Sequence, residues 1–483
     1  MLFTSLEYYL FLPLVAVVYF LTPRAYRWGW LLVASYFFYM YWNPAYIFLI
    51  IGSTLIDYWA ALQIEARESR KERKPFLWTS IAANLGLLFA FKYFNFFSTQ
   101  ANLLMQQLMP DANYSLYLDV LLPVGISFYT FQTMAYTIDV YKGYAKAERH
   151  LGKYALYVAF FPQLVAGPIE RSRHLLSQFH FDYDFNYARV RSGLQLVLWG
   201  VFKKLVIADR LALYVDEVFG SPNEHYGLVV WIAAFFFLFQ IYCDFSAYTD
   251  IARGSARILG VNLSINFEHR VYVITSFQRF WRGWHITLTS WFRDYVYFPL
   301  SRMQKGPRWL LITTLLTFTL NGLWHGAEWT FLVWGALNGF FVATEILLKK
   351  PIEGVYRRLG VQHSVLWRRV LGFCVAFPIG LLSILFFRAT NMDAALTLLR
   401  NSFAIAPIQL HQSLEVTNPI EYMSGFVLIG LMDVVHLWAG DRRIPQLLND
   451  QPRWVRWAFY LIVFHAILYL GIPPQRQFIY FEF

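Results

Sequence analysis

Residues 309–348, WLLITTLLTFTLNGLWHGAEWTFLVWGALNGFFVATEILL, decide the class of fold. Two apolar runs, 309–324 and 327–348, meet at the interruption Asn321-Gly-Leu-Trp-His-Gly-Ala-Glu-Trp329. Each approaches the roughly 20 residues that an α-helix needs to cross hydrocarbon. Working outward, thirteen such runs bounded by polar punctuation lie between residues 6 and 472. The 483-residue chain is 58% hydrophobic and 15% charged, whereas soluble domains average about 25% charged residues. Disorder and an ordinary cytosolic protein are both excluded. The expectation is all-α: a polytopic membrane protein with about 10–12 transmembrane or re-entrant helices plus interfacial amphipathic helices. Segments with internal Pro and Gly (Pro123, Gly125, Pro162, Gly167) are the re-entrant candidates, because lipid tolerates broken helices only where protein covers the backbone.

Charge sets the orientation. A formal net charge of +11 fits a membrane protein with basic cytoplasmic loops, not a nucleic-acid binder. Arg67, Arg70, Lys71, Arg73 and Lys74 outweigh Glu68 and Glu72 in one short loop, which predicts a cytoplasmic loop and an extracytoplasmic N-terminus. Counting forward places 98–114 outside, Lys142 to Lys153 inside and the acidic 215–225 turn outside; beyond about residue 250 the count is ambiguous. The first run, Leu6 to Leu21, contains Glu7 and Pro13 without a basic lead-in, and reads as a retained span. Cys243 and Cys374 are the only cysteines, too few for a disulfide framework.

One segment is not a simple span. From Phe277 to Leu300, Trp281, Trp284, Leu288, Trp291, Phe292 and Tyr295 recur at helical spacing, opposite Arg279, Arg282, Thr289 and Arg293. That pattern predicts one basic, Trp-rich amphipathic helix at the membrane interface, with His285 near the boundary of its faces.

Ionisable residues inside apolar runs are functional candidates by default, because burying them in lipid is unfavourable. His325 is the sharpest, flanked by glycine and tryptophan, with Glu328 one helical turn on. A histidine in a low-dielectric pocket stays neutral and can accept a proton, as a general base must. The competing reading is an interhelical hydrogen-bonding histidine. His285 has the same two readings. Asp57, Lys92, Asp139, Asp244 and Asp250 are further candidates. Tyr242-Cys-Asp-Phe-Ser246 either binds substrate through Asp244 or buries a satisfied carboxylate. No phosphate-binding loop of the G-x-x-x-x-G-K-[ST] type, no G-x-S-x-G elbow and no H-E-x-x-H pair is present, so no metal site is expected.

Several blocks together resemble the membrane-bound O-acyltransferase family: Pro123-Val-Gly-Ile-Ser-Phe-Tyr-Thr-Phe-Gln132, Tyr136-Thr-Ile-Asp-Val-Tyr141, Phe161-Pro-Gln-Leu-Val-Ala-Gly-Pro-Ile-Glu170, Gln240-Ile-Tyr-Cys-Asp-Phe-Ser246, Phe280-Trp-Arg-Gly-Trp-His285, Trp291-Phe-Arg-Asp-Tyr295 and Gly322-Leu-Trp-His-Gly326. The closing Phe478-Ile-Tyr-Phe-Glu-Phe483 is similar to the family's bacterial alginate O-acetylase branch. Gly283 departs from that branch, where a second arginine is common.

The resemblance implies a single membrane-embedded domain over 1–483, with a core at about 116–348, C-terminal helices at about 370–483 and helices around a central funnel. It implies catalytic roles for His325 and His285. It implies acetyl transfer from a cytoplasmic thioester, acetyl-CoA, with no bound cofactor, toward an exported polysaccharide such as alginate. Arg282 and Arg293 are the expected contacts for the donor's phosphates, and Asn321 and Trp324 the candidate donors to a developing oxyanion. It further implies a bacterial inner-membrane location, a lipid environment, an extracytoplasmic SGNH-type acetyltransferase partner and a polysaccharide export complex. The rivals are D-alanyl transfer of the teichoic-acid type, a proton-coupled transporter using His325, His285 and Asp244, and a non-enzymatic scaffold.

Overall fold

The computed structural model describes residues 1–483 except 110–115, 120, 166, 405–415, 417, 473–477 and 480–483. Parts of the 98–114 and 389–420 loops, and most of the closing 478–483 block, thus lie outside the described residues. Among those described, the chain is helical with no β-strand. It divides into two compact units, residues 1–197 with 251–264, and residues 198–250 with 265–483.

Helices of seven residues or more are numbered in chain order. The first unit holds α1 (Leu6–Leu21), α2 (Arg27–Met40), α3 (Ile47–Glu65), α4 (Arg70–Leu88), α5 (Phe94–Leu108), α6 (Ile126–Lys142), α7 (Leu151–Ala159) and most of α8 (Tyr187–Phe202). The second holds α9 (Asp209–Gly220), most of α10 (Leu228–Ile258), α11 (Phe277–Gly283), α12 (Ile286–Phe292), α13 (Pro307–His325) and α14 (Trp329–Leu347). It continues with α15 (Lys349–Arg358), α16 (Val365–Arg388), α17 (Met392–Ser402), α18 (Pro419–Ala439) and α19 (Arg453–Leu470).

Among the described residues, six helices are long and apolar enough to cross a membrane: those over Pro44–Glu65, Arg70–Leu108, Leu228–Ile258, Trp329–Leu347, Val365–Arg388 and Pro419–Ala439. The other expected elements form helices that are shorter or more polar. Helix α1 has 16 residues, and α13 carries four threonines and Asn321 along its length.

In the first unit, buried polar side chains satisfy one another. Asp57 on α3 accepts from Ser80 and Asn84 of α4 and from Thr137 of α6. Its role as an intramembrane carboxylate is therefore to pin three helices together. The Pro123–Gln132 and Phe161–Glu170 blocks lock to each other: Gln163 Nε2 donates to Gln132 Oε1 at 3.0 Å. Gly125 begins α6 at φ 77°, and a Cβ there would stand 2.6 Å from the Leu164 carbonyl. Only glycine satisfies both demands.

In the second unit, α8 passes through a π turn, Lys203–Ala208, into α9. A π turn widens the helix by one residue and re-aims its side chains. Lys203 Nζ lies 2.8 Å from Asp250 and donates to Ser246 at 2.7 Å. Lys204 Nζ sits between Asp209 and Asp244, at 2.8 and 2.9 Å. Neither lysine was singled out from the sequence, although both fall in the middle of the apolar run 193–214.

The tightest approach in this unit is between α13 and α14. A Cβ on Gly322 would stand 2.2 Å from the Phe331 carbonyl, and one on Gly335 would stand 2.4 Å from the Phe318 carbonyl. Small residues let two backbones meet where lipid offers no hydrophobic drive to helix association.

The expected single helix from Phe277 to Leu300 is instead broken. It ends at Gly283, restarts at Ile286 and passes into a π turn at Arg293–Tyr297. The reason is His285, whose φ of 42° and ψ of 55° put it in the left-handed region. Side-chain periodicity carries no signal for that backbone.

Substituting Gly335→Ala should therefore destabilise the protein by about 1–3 kcal/mol, the usual range for overpacking. Gly52→Ala, which meets nothing within 4 Å, should be neutral or mildly stabilising. Thermal unfolding in detergent reads both; equal midpoints for the two variants would contradict the close approach.

Candidate active site

His325 is the last residue of α13, and the chain leaves it through Gly326 in an extended conformation. The imidazole is 2% exposed. Three aromatic rings surround it edge-on: Trp324 at 5.0 Å, Trp334 of α14 at 5.2 Å and Phe387 of α16 at 5.3 Å between centroids. The α13–α14 approach sets Trp334 against it, and the C-terminal turn of α16 supplies Phe387.

His285 stands between α11 and α12, outside the six spans, and is 1% exposed. A β-carbon-bearing residue in the left-handed region is held there by its surroundings. Here Ile286 N donates to the Asn266 carbonyl at 2.9 Å, while Thr287 N and Oγ1 donate to Asn266 Oδ1 at 3.2 and 2.9 Å. A backbone N–H can only donate, so the atom facing it is the carboxamide oxygen. His285 Nδ1 lies 3.1 Å from that oxygen and therefore carries the hydrogen, which leaves the lone pair on Nε2. Phe245 of α10 packs edge-on at 4.6 Å. Burial lowers the imidazole's pKa to about 3, so it is neutral at physiological pH.

Trp324 joins the two histidines. Its ring lies 5.9 Å from His285 and 5.0 Å from His325. Asn321 sits one turn before His325 on the same helix, buried, and its Oδ1 has no hydrogen-bond partner among the described residues. Two imidazoles, an indole and a carboxamide thus converge in an apolar setting. Beside them, Trp334 and Phe387 also line a narrow cavity of about 40 Å³ with Trp284, Phe280, Asn338 and Ser383. It is large enough for only a few heavy atoms.

Other candidates lie elsewhere. Asp244 is the ion partner of Lys204 and accepts from Ile479 N at 2.8 Å, so it anchors the C-terminal tail. Phe478 in that tail packs 5.4 Å from Phe245, the ring behind His285. Arg282 is exposed, and Arg293 pairs with Asp294 at 2.9 Å on the surface. Glu328 is not a turn beyond His325 on one helix: α13 has ended, and Glu328 is exposed at the start of α14. Asn266, Trp334 and Phe387 were not legible as site residues. Nothing in their spacing distinguishes them from any other loop asparagine or core aromatic.

Histidine-selective ¹⁵N spectra of the purified protein should show His285 as the Nδ1–H tautomer, with no imidazolium from pH 8 down to pH 5. The folded-state pKa lies below the ordinary value, so protonation begins only near about pH 4. Asn266→Ala should abolish the tautomer preference. An Nε2–H form in the wild type would contradict the orientation.

The sequence model of the MBOAT family, the membrane-bound O-acyltransferases, matches residues 144–387. The chain is 33% identical to the probable alginate O-acetylase AlgI of Pseudomonas putida, across 98% of both chains. It is 30% identical to the peptidoglycan O-acetyltransferase of Helicobacter pylori, covering 99% of this chain and 97% of that one. A teichoic acid D-alanyltransferase of Streptococcus thermophilus is 24% identical over 55% of this chain and 68% of its own length.

Proposed function

The chain belongs to the membrane-bound O-acyltransferase family, and from that premise we propose that it moves an acetyl group from a cytoplasmic thioester, acetyl-CoA, through the bacterial inner membrane for O-acetylation of an exported polysaccharide. The observation that carries the reading is Trp324, whose ring touches both buried imidazoles. The relatives that span nearly the whole chain are named for O-acetylation, one of alginate and one of peptidoglycan. The narrow cavity beside Trp334 and Phe387 suits a short acyl group.

His325 acts as general base. Ringed by aromatics, it takes the proton from an acceptor hydroxyl as that oxygen attacks the thioester carbonyl. The new C–O bond forms, and negative charge gathers on the carbonyl oxygen. Fixed donors stabilise such an oxyanion most strongly where water is excluded. The Asn321 carboxamide and the Trp324 indole N–H fill this role. The C–S bond then breaks, and the leaving thiolate takes the proton back from His325. His285, held by Asn266 with its lone pair on Nε2, orients the donor or relays the proton. A separate extracytoplasmic SGNH-type partner completes transfer to the polymer.

Radiolabelled acetyl-CoA turnover by purified protein tests this, with His325→Ala and His285→Ala at matched folded amounts. The reading predicts that His325→Ala loses about 10²–10⁴-fold in rate, the range of general-base catalysis, while its unfolding midpoint is kept. Normal turnover in His325→Ala would remove it as the base and move that role to His285.

A further inference from the structure

The connection between α1 and α2 reads Thr22-Pro-Arg-Ala-Tyr-Arg-Trp28, two arginines set among aromatic rings. Trp28 is seated on the first turn of α7. A Cβ on Gly152 would stand 2.2 Å from its ring, and His150 meets that ring edge-on at 4.6 Å. With the turn at 178–183, these elements enclose a cavity of about 330 Å³. It lies wholly within the first unit, whereas His325 belongs to the second. Its buried lining is apolar, from Leu31, Leu156 and Val261.

The rest of the lining is basic, and its charges are poorly answered. Arg27 spends its guanidinium on carbonyl oxygens: Thr22 at 3.0 Å, Tyr183 at 2.8 Å and Phe20 at 3.4 Å. Carbonyls satisfy N–H groups without cancelling a charge. Lys153 Nζ lies 3.2 Å from His180 Nδ1. An ammonium only donates, so that nitrogen accepts, and the ring hydrogen sits on Nε2, 2.7 Å from Glu148. Lys153 thus faces an uncharged acceptor and makes no ion pair with a carboxylate among the described residues. Arg24 pairs with Asp184 at 2.8 Å, but the two side chains are 59% and 70% exposed, and a pair so open to water contributes little. Asp182 is the one carboxylate among the lining residues, against Arg24, Arg27 and Lys153.

Two further features say what such a cavity holds. Tyrosine and tryptophan gather at the depth of lipid headgroups, and Tyr19, Trp28 and Tyr183 all line it. The charge pattern of the loops puts Arg24, Arg27 and Lys153 on the cytoplasmic side, where the leaflet's anionic lipids attract basic residues. A basic rim above a buried apolar wall matches an anion that carries a hydrocarbon tail. We propose that this cavity binds the phosphate of an anionic phospholipid headgroup, with Arg24 and Lys153 as its mobile cations and Arg27 as the fixed one. The site is independent of the acyl-transfer reading.

The test reads binding alone. Protein is reconstituted with equal amounts of phosphatidylglycerol and phosphatidylcholine and extracted in detergent, and native mass spectrometry counts the lipid retained. The wild type should retain phosphatidylglycerol in preference. Arg24→Gln/Lys153→Gln should lower that retention by about tenfold, the effect of two basic residues beside an anionic headgroup. Arg24→Lys/Lys153→Arg should keep it, which separates charge from fold. Asp182→Asn should raise retention, a gain that misfolding cannot imitate. Lys71→Gln/Lys74→Gln removes two exposed cations outside the cavity and should change nothing. Titration of delipidated protein with inorganic phosphate distinguishes a free anion from a lipid. The proposal is overturned if the Gln pair at 24 and 153 retains as much phosphatidylglycerol as the wild type, or if the pair at 71 and 74 loses as much. A fall in Asp182→Asn, or saturable phosphate binding without lipid retention, would overturn it equally.

Discussion

The position of His325 in the second unit depends on two backbones meeting. Gly322 faces the Phe331 carbonyl and Gly335 faces the Phe318 carbonyl, at separations that leave no room for a side chain. Such contact comes from dispersion and close fit, since lipid tails compete equally for apolar side chains. Helix α13 is thereby fixed in rotation, and with it Asn321, Trp324 and His325. Helix α14 is fixed in the same act, which sets Trp334 at the edge of the His325 ring. The glycines are structural, but they determine where the His325 imidazole stands.

The second constraint is the left-handed turn at His285. A continuous helix from 277 to 300 would have carried this imidazole along an amphipathic face, as the sequence pattern suggested. The break turns it inward against Phe245 and Trp324, and Asn266 holds both the strained backbone and the ring. Local strain of this kind persists only where neighbours over-determine it, and it gathers at functional sites. The C-terminal tail contributes from behind: Ile479 is tied to Asp244, and Phe478 packs on Phe245. Asp244 in turn is held by Lys204, so a buried ion pair keeps the tail against the ring that backs His285. Breaking one partner of such a pair is far more damaging than its net contribution to stability.

Much of this was legible in the sequence. Apolar runs of about 20 residues announced helices, and the glycine–histidine interruption at 322–326 singled out a side chain that the fold buries among aromatic rings. Helical spacing failed at 284–286, because a left-handed histidine leaves no trace in periodicity. It also misjudged Glu328, since α13 ends at His325 and the turn count stops there. Lys203 and Lys204 were hidden because a π turn, not an α turn, aims them at the acidic side chains of α10 and at Asp209. Asn266 gave no warning at all: its role is set by backbone donors 20 residues later in the chain. Residues defined by what they touch across the fold become visible only once the fold is known.

The central claim is that His325, Trp324 and His285 form one catalytic unit. A double-mutant cycle on acetyl-CoA turnover tests it most directly, using His325→Ala, His285→Ala and the double variant, each verified as folded. Residues that act together are strongly non-additive. The account predicts that the double variant is no slower than the slower single variant. A double variant whose loss equals the product of the two single losses would mean that the imidazoles work independently, and would contradict the account.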